Sequence, residues 1–155
     1  MSDQTKKRHP WLKRILLSLL VLAVMAGGVY WYVATEKFSD TKNRKSDYTV
    51  NALDFIKEFL ENDSAANIKY TEKIVTVNGT ISALEAPDTA TVNVKFIDPP
   101  TGSFIIFAFQ DTHLGEGKGL KVGDVVSIKG SCSGGVYSEI LDVTKIDFKR
   151  AALNK

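Results

Sequence analysis

Nineteen consecutive uncharged residues, Ile15 to Val33 (ILLSLLVLAVMAGGVYWYV), stand apart from a chain that is elsewhere a mixture of short apolar and polar runs. At helical rise such a run crosses the roughly 30 Å hydrocarbon core of a bilayer. Ser18 is compatible with it because a hydroxyl can bond back to the helix backbone. Trp11 precedes the run and Tyr30-Trp31-Tyr32 end it, at the two levels where amphipathic rings favour the headgroup region. A cleaved signal peptide is the competing reading, since Val24-Met25-Ala26 followed by Gly27-Gly28 offers small residues at a cleavage point. The apolar run continues past that point into the aromatic belt, which favours an uncleaved transmembrane helix.

Downstream the pattern changes twice. Ala52, Leu53, Ile56, Phe59 and Leu60 recur at spacings of three and four and predict an amphipathic helix from Val50 to Glu61, with Thr49 as its N-cap. Asn62-Asp63 interrupts it, and Asp63 or Ser64 caps a shorter helix through Ala65, Ala66 and Ile68. The bland role of the stripe is core packing across one end of a sheet; the sharper one is a partner-binding helix. Five strand runs follow: Lys73–Leu84, Thr91–Ile97, Ser103–Phe109, Asp124–Gly130 and Glu139–Phe148. Pro87-Asp88 and Pro99-Pro100-Thr101-Gly102 mark turns between the first three.

Two of these runs share a grammar. Ile74-Val75-Thr76-Val77-Asn78-Gly79-Thr80-Ile81 and Val125-Val126-Ser127-Ile128-Lys129-Gly130 are β-branched stretches, each interrupted or ended by one glycine. Glycine inside or beside a strand marks a bulge or sharp bend, so Gly79 and Gly130 are expected where their strands bend. The expected fold is therefore mainly β: a five-stranded OB-fold Greek-key barrel with an amphipathic helix packed on it, preceded by one transmembrane helix. Gly115, Gly117 and Gly119 argue against the helix that such folds often carry between strands three and four.

Charge refines this picture. The formal net charge of +2 hides an asymmetry, because residues 1–33 hold Lys6, Lys7, Arg8, Lys13 and Arg14 against Asp3 alone. From Asp47 onward, 11 Lys and Arg stand against 15 Asp and Glu. A basic flank before an apolar helix favours a cytoplasmic N-terminus and an exported C-terminal domain. The expected organisation is a basic cytoplasmic tail (1–14), a membrane helix (15–33), a polar flexible linker (34–48) and a folded domain (49–155), placed in the bacterial inner membrane. Cys132 is the single cysteine, so no internal disulfide is possible, and its expected role is that of a small buried hydrophobe.

Particular residues carry a family resemblance. Glu61-Asn62-Asp63-Ser64-Ala65-Ala66-Asn67-Ile68-Lys69-Tyr70, then Lys73 and Gly79, then Leu120-Lys121-Val122-Gly123-Asp124 and Ile128-Lys129-Gly130-Ser131-Cys132-Ser133-Gly134 resemble the motifs of the tRNA-anti-like family. These are bacterial OB-fold proteins, often membrane-anchored or exported. The resemblance covers roughly Val50 to Phe148 and consists mainly of structural glycines and packing residues. It implies the fold and transfers no catalytic or ligand residue.

Catalytic chemistry is not evident. His9 and His113 are far apart in sequence, and a single Cys without clustered carboxylates makes no metal ligand set. Asp111 near His113 has no accompanying nucleophile. Gly115-Glu116-Gly117-Lys118-Gly119 lacks the Lys-Ser/Thr ending of a phosphate-binding loop. No cofactor, metal or enzymatic activity is expected. What remains is binding by the sheet. Ser103–Phe109 is apolar on both parities, so either Phe104 and Ile106 or Ile105, Phe107 and Phe109 face outward. The candidate ligand face comprises Asn93, Lys95, Phe107 and Lys129. The expected function is a non-catalytic envelope module recognising a protein, peptide or glycan. Single-stranded nucleic-acid binding and a structural role in a membrane assembly are the alternatives, and the acidic balance argues against nucleic acid.

Overall fold

The computed structural model describes residues 10–35 and 40–154, in two compact units divided between Phe38 and Ser39. In the first, α1 spans Pro10–Thr35, and its stretch Lys13–Tyr32 is long and apolar enough to cross a membrane, a property shared by anchors and signal sequences. Ser18 Oγ donates to Ile15 O at 2.9 Å, so the serine hydroxyl in the apolar run is satisfied inside the helix. Most of the basic tail, and residues 36–39 of the expected linker, lie outside the described residues.

The second unit holds seven strands rather than five. They are β1 (Tyr48–Asn51), β2 (Ile74–Thr80), β3 (Ala83–Glu85), β4 (Thr91–Ile97), β5 (Phe104–Gln110), β6 (Val125–Ser138) and β7 (Val143–Leu153). Their order in the sheet is β1-β2-β6-β7-β5-β4-β3, all antiparallel except the β1–β2 and β5–β7 pairs. The additional strands have two origins. The first expected strand divides into β2 and β3 at Ile81-Ser82, where Ile81 N–H bonds Asp124 O beyond one edge of β2 and Ser82 N–H bonds Lys95 O on β4. And Tyr48–Asn51, expected as linker and helix start, pairs in parallel with β2 instead.

That pairing moves the helix cap. α2 runs Ala52–Glu61 with Asn51, not Thr49, as N-cap, its Oδ1 accepting from Leu53 N–H at 3.0 Å. The buried stripe is Ala52, Phe55, Ile56 and Phe59, while Leu53 and Leu60 are exposed. α3 runs Asp63–Tyr70, capped by Asn62 Oδ1 on Ala65 N–H at 2.9 Å rather than by Asp63 or Ser64. It buries Ala66 and Tyr70 and leaves Ile68 exposed. Asp111–His113 forms a 3-10 turn, and α4 (Leu114–Lys118) follows it between β5 and β6, despite its glycines. Gly117 has a packing reason to be glycine there: a Cβ at that position would stand 2.9 Å from Phe109 Cβ.

One apolar core lies between the sheet and α2. An aromatic chain runs through it, from Phe96 to Phe107 (centroids 5.1 Å), to Phe148 (4.7 Å), to Phe55 (5.8 Å) and on to Tyr70 (4.8 Å). Cys132 is part of this core, and burial pushes its thiol up to about 11. Gly79 does not bulge, since β2 and β6 pair without interruption from Ile74↔Ser131 to Thr80↔Val125. It is a close-approach glycine, where a Cβ would lie 2.8 Å from Ala52 Cβ on α2. Gly130 does lie at an irregularity. Between Lys129↔Ala152 and Ser131↔Lys149 the β6–β7 register shifts, with Arg150 at φ 52° on the facing strand.

Candidate functional site

The outward side of β4, β5 and β7 carries a groove of about 480 Å³ lined by Asn93, Ile106, Ala108, Gln110, Ser133, Lys145, Asp147 and Lys149 over the edge of Phe148. Strand alternation produces it. Val92, Val94 and Phe96 on β4, Ile105, Phe107 and Phe109 on β5, and Ile146 and Phe148 on β7 point into the core. Their neighbours therefore point out, and pairing brings them into rows: Asn93 beside Ala108, and Lys95 beside Ile106 beside Asp147. Ser133 reaches the groove through the second register shift, between Cys132↔Phe148 and Gly134↔Asp147, which makes it the extra residue of a bulge in β6.

The groove is polar at its rim and aliphatic at its floor. Lys145 Nζ lies 3.0 Å from Asp147 Oδ1, while Lys149 makes no ion pair among the described residues. Lys95 lies one step along β4, tied to Glu85 Oε1 at 2.6 Å and 5.0 Å above the Phe104 ring. Its ammonium covers the one aromatic face on the outward side of β5.

Of the four residues expected on a ligand face, Asn93 lines the groove and Lys95 stands beside it. Phe107 is a correction. It is fully buried, packed between Phe96 and Phe148, because β5 turns its Ile105–Phe107–Phe109 parity inward. Lys129 is also removed from the groove. It is buried on β6 beneath residues 42–44, with Nζ donating to Lys42 O at 3.3 Å and Arg44 O at 3.0 Å. Sequence reasoning missed the contribution of β7, although Thr144, Ile146 and Phe148 alternating with Lys145, Asp147 and Lys149 is a legible half-buried strand.

The loop chemistry resolves differently from expectation as well. His113 meets Asp40 and Glu116, not Asp111: Nε2 is 2.6 Å from Asp40 Oδ1 and Nδ1 is 3.3 Å from Glu116 Oε2. The His113 hydrogen bond, with the Lys42 N–H behind it, holds the Asp40 carboxyl below its ordinary range. Burial raises Glu116, but the Lys42 ammonium and the Leu153 N–H outweigh it, and the net direction is down. Glu116 is thus a structural anchor. Among the described residues no cluster of His, Cys, Asp and Glu suits a metal ion.

The tRNA_anti-like family model matches residues 3–143, and the chain belongs to that family. Among solved structures, the fold is similar to that of a lipoprotein from Klebsiella pneumoniae subsp. pneumoniae to which nucleic-acid binding has been ascribed. The TM-score is 0.52 and the identity 18%, over 68% of this chain and 91% of that one. No curated protein matches this sequence.

Proposed function

We propose that this protein is a non-enzymatic, membrane-anchored binding module of OB type, whose outward groove on β4, β5 and β7 holds an extended segment of another envelope protein. The barrel reading is supported by β2 and β3, two halves of one strand separated by Ile81 and Ser82, which pair with β6 and β4 respectively. That arrangement curls the sheet towards closure. The five basic residues before α1 support a cytoplasmic N-terminus and an exported domain.

The observation that carries the ligand class is the groove lining. Asn93, Gln110 and Ser133 offer both donors and acceptors, as a peptide backbone requires, over the aliphatic floor of Ile106 and Ala108. Stacking platforms for bases are lacking in it, since Phe148 is buried and Phe104 is capped by Lys95. The likeness to the Klebsiella lipoprotein favours single-stranded nucleic acid as a second reading. The balance of 11 basic to 15 acidic residues from Asp47 onward opposes it.

The test is a photo-cross-linking amino acid at Gln110 of the full-length protein in its membrane, with Lys57 on α2 as the control position. Protease-sensitive adducts at Gln110 and none at Lys57 are expected. Nuclease-sensitive adducts, or micromolar binding of a labelled 20-mer oligonucleotide that weakens steeply with salt, would replace this reading with the second. Adducts resistant to both enzymes and sensitive to glycosidases would make the ligand a glycan.

A further inference from the structure

Lys129 is a buried cation without a carboxylate. Its residue is 9% exposed, and among the described residues its ammonium is satisfied by two main-chain carbonyls, those of Lys42 and Arg44. Those carbonyls belong to Asp40–Asp47, a segment that follows α1 in the chain and reads in sequence as a polar linker. It makes one 3-10 turn over Thr41–Asn43 and continues extended from Arg44 as a strap over β6 and β7.

The strap lies on the outward side of the sheet. Thr76 on β2 pairs with Lys129 on β6, which pairs with Ala152 on β7, and all three are buried although Ala152 stands outside the apolar core. Ser46 Oγ meets Thr76 Oγ1 at 2.5 Å, and Thr41 is buried against the same face. Asp40 is held by His113, and Lys42 by Glu116 at 2.5 Å. Glu116 Oε2 also accepts from Leu153 N–H at 3.0 Å, which ties the strap to the end of β7. Along β7 the outward residues run Lys145, Asp147, Lys149 and, after the bulge, Ala152. The groove takes the first three and the strap covers the fourth.

We infer that the strap is a displaceable, tethered occupant of one continuous peptide-binding face, and that Lys129 is a carbonyl-binding residue which a partner segment takes over when the strap leaves. The inference rests on the groove being a peptide site, as proposed above. The strap also defines what the partner carries: a tight turn and the residue after it to offer two carbonyls to Lys129, a hydroxyl for Thr76, a basic side chain for Glu116 and, two residues before it, a carboxylate for His113. The strap's bonds to Thr76, Lys129 and Glu116 are all hydrogen bonds or ion pairs, and the residues it covers stand outside the apolar core, so exchange for a like segment breaks and remakes the same bonds. A tethered occupant acts at high effective concentration and keeps weak mimics out.

Trypsin reads the latch directly, because cleavage after Lys42 and Arg44 attacks the very carbonyls Lys129 holds. On the detergent-solubilised full chain, Lys129→Met is expected to accelerate cleavage at those two bonds at least about tenfold, as local opening controls proteolysis, with cleavage after Lys57 unchanged. Should Lys129→Met also accelerate the Lys57 cut, Glu116→Gln releases Lys42 while keeping Lys129 and serves as the second variant. The competition arm uses a fluorescein-labelled peptide of residues 39–48. It is expected to bind the Asp40→Asn/Lys42→Gln protein at least about tenfold more tightly than wild type, with the gain lost on adding Lys129→Met. Equal peptide affinity for wild type and the open variant, or cleavage rates indifferent to Lys129 and Glu116, overturns the inference. Adducts at Gln110 are read without opening the strap, so their loss strikes the groove itself and their survival with a failed latch strikes only the strap.

Discussion

The inward and outward faces of β5 and β7 alternate residue by residue along the same backbone, and they obey different physics. Inward, Phe107 sits between Phe96 and Phe148 with no exposed surface, and its neighbours Ile105 and Phe109 are equally dry. Outward, one residue away, Ile106 and Ala108 are half-buried among Lys145, Asp147 and Lys149. Packing makes the first face specific, because a close-packed interior punishes any change of volume. Water makes the second adaptable, because exposed charges are screened and can re-pair. Sites for partners are built on such adaptable faces and held in place by the rigid ones.

The sharpest way to break this contrast is Phe107→Ala, which leaves a ring-sized cavity between two other rings. A loss of about 3–5 kcal/mol in denaturant unfolding is expected, ample to lower the melting temperature of the folded unit markedly. A Phe107→Ala protein as stable as wild type would return Phe107 to the outward face. Gly79→Val probes the same interior from the opposite direction. Its Cβ would press on Ala52 and on the Phe96 ring, 2.8 and 3.0 Å away, and overpacking at a site that backbone and helix both confine costs about 1–3 kcal/mol. Gly79→Ala is expected to fall between Val and wild type, which separates packing from a backbone-bend effect.

Acid tests the polar region over β6 and β7. Asp40 and Glu116 both hold their protons less tightly in the folded protein than their ordinary values of 3.8 and 4.5 would give. The stability they contribute is therefore complete above those values and is lost as pH falls through the lowered ones. The melting temperature is expected to decline below about pH 4.5, with a shallower decline in Asp40→Asn and Glu116→Gln. An acid profile identical in both variants would dissociate these carboxylates from stability. The smallest effect belongs to the groove. Lys145→Ala removes a pair that is nearly half-exposed on both sides and is expected to change stability by less than about 1 kcal/mol. A larger loss would show that Lys145 is structural and that the outward face is less adaptable than its exposure indicates.

Much of the fold was legible because it follows from periodicity. An apolar run, a stripe at three and four, and strands bounded by glycine and proline depend on near neighbours in the chain, and the family motifs repeat the same structural positions. Even so, the buried arc is rotated from the expected stripe: Phe55 on one edge is buried, while Leu53 and Leu60 on the other are exposed. A helix's buried arc is chosen by what lies opposite it, here Tyr70, Phe148 and the space above Gly135, where a Cβ would meet the Phe59 ring at 2.5 Å. The five-strand count failed for a related reason. Tyr48–Asn51 becomes a strand because β2 offers it a free edge, and the long first strand divides because its two halves serve two different partners.

The sequence by itself determined the apolar helix, the mainly β character, the two glycine-interrupted strands and the charge asymmetry, since each is written in local pattern or composition. That Gly79 is a close-approach glycine rather than a bend was decided by α2 packing over it. Which parity of Ser103–Phe109 faces water was beyond the sequence, because both parities are apolar and the choice is made by the rings they meet, Phe96 on β4 and Phe148 on β7. Nor could it disclose that Lys129 is engaged from within, by a segment more than eighty residues earlier in the chain. A polar stretch without periodicity reads as solvated linker until the tertiary fold brings a buried ammonium and a carboxylate to meet its carbonyls and its lysine. Contacts of that kind join residues whose sequence separation carries no pattern, and packing alone creates them.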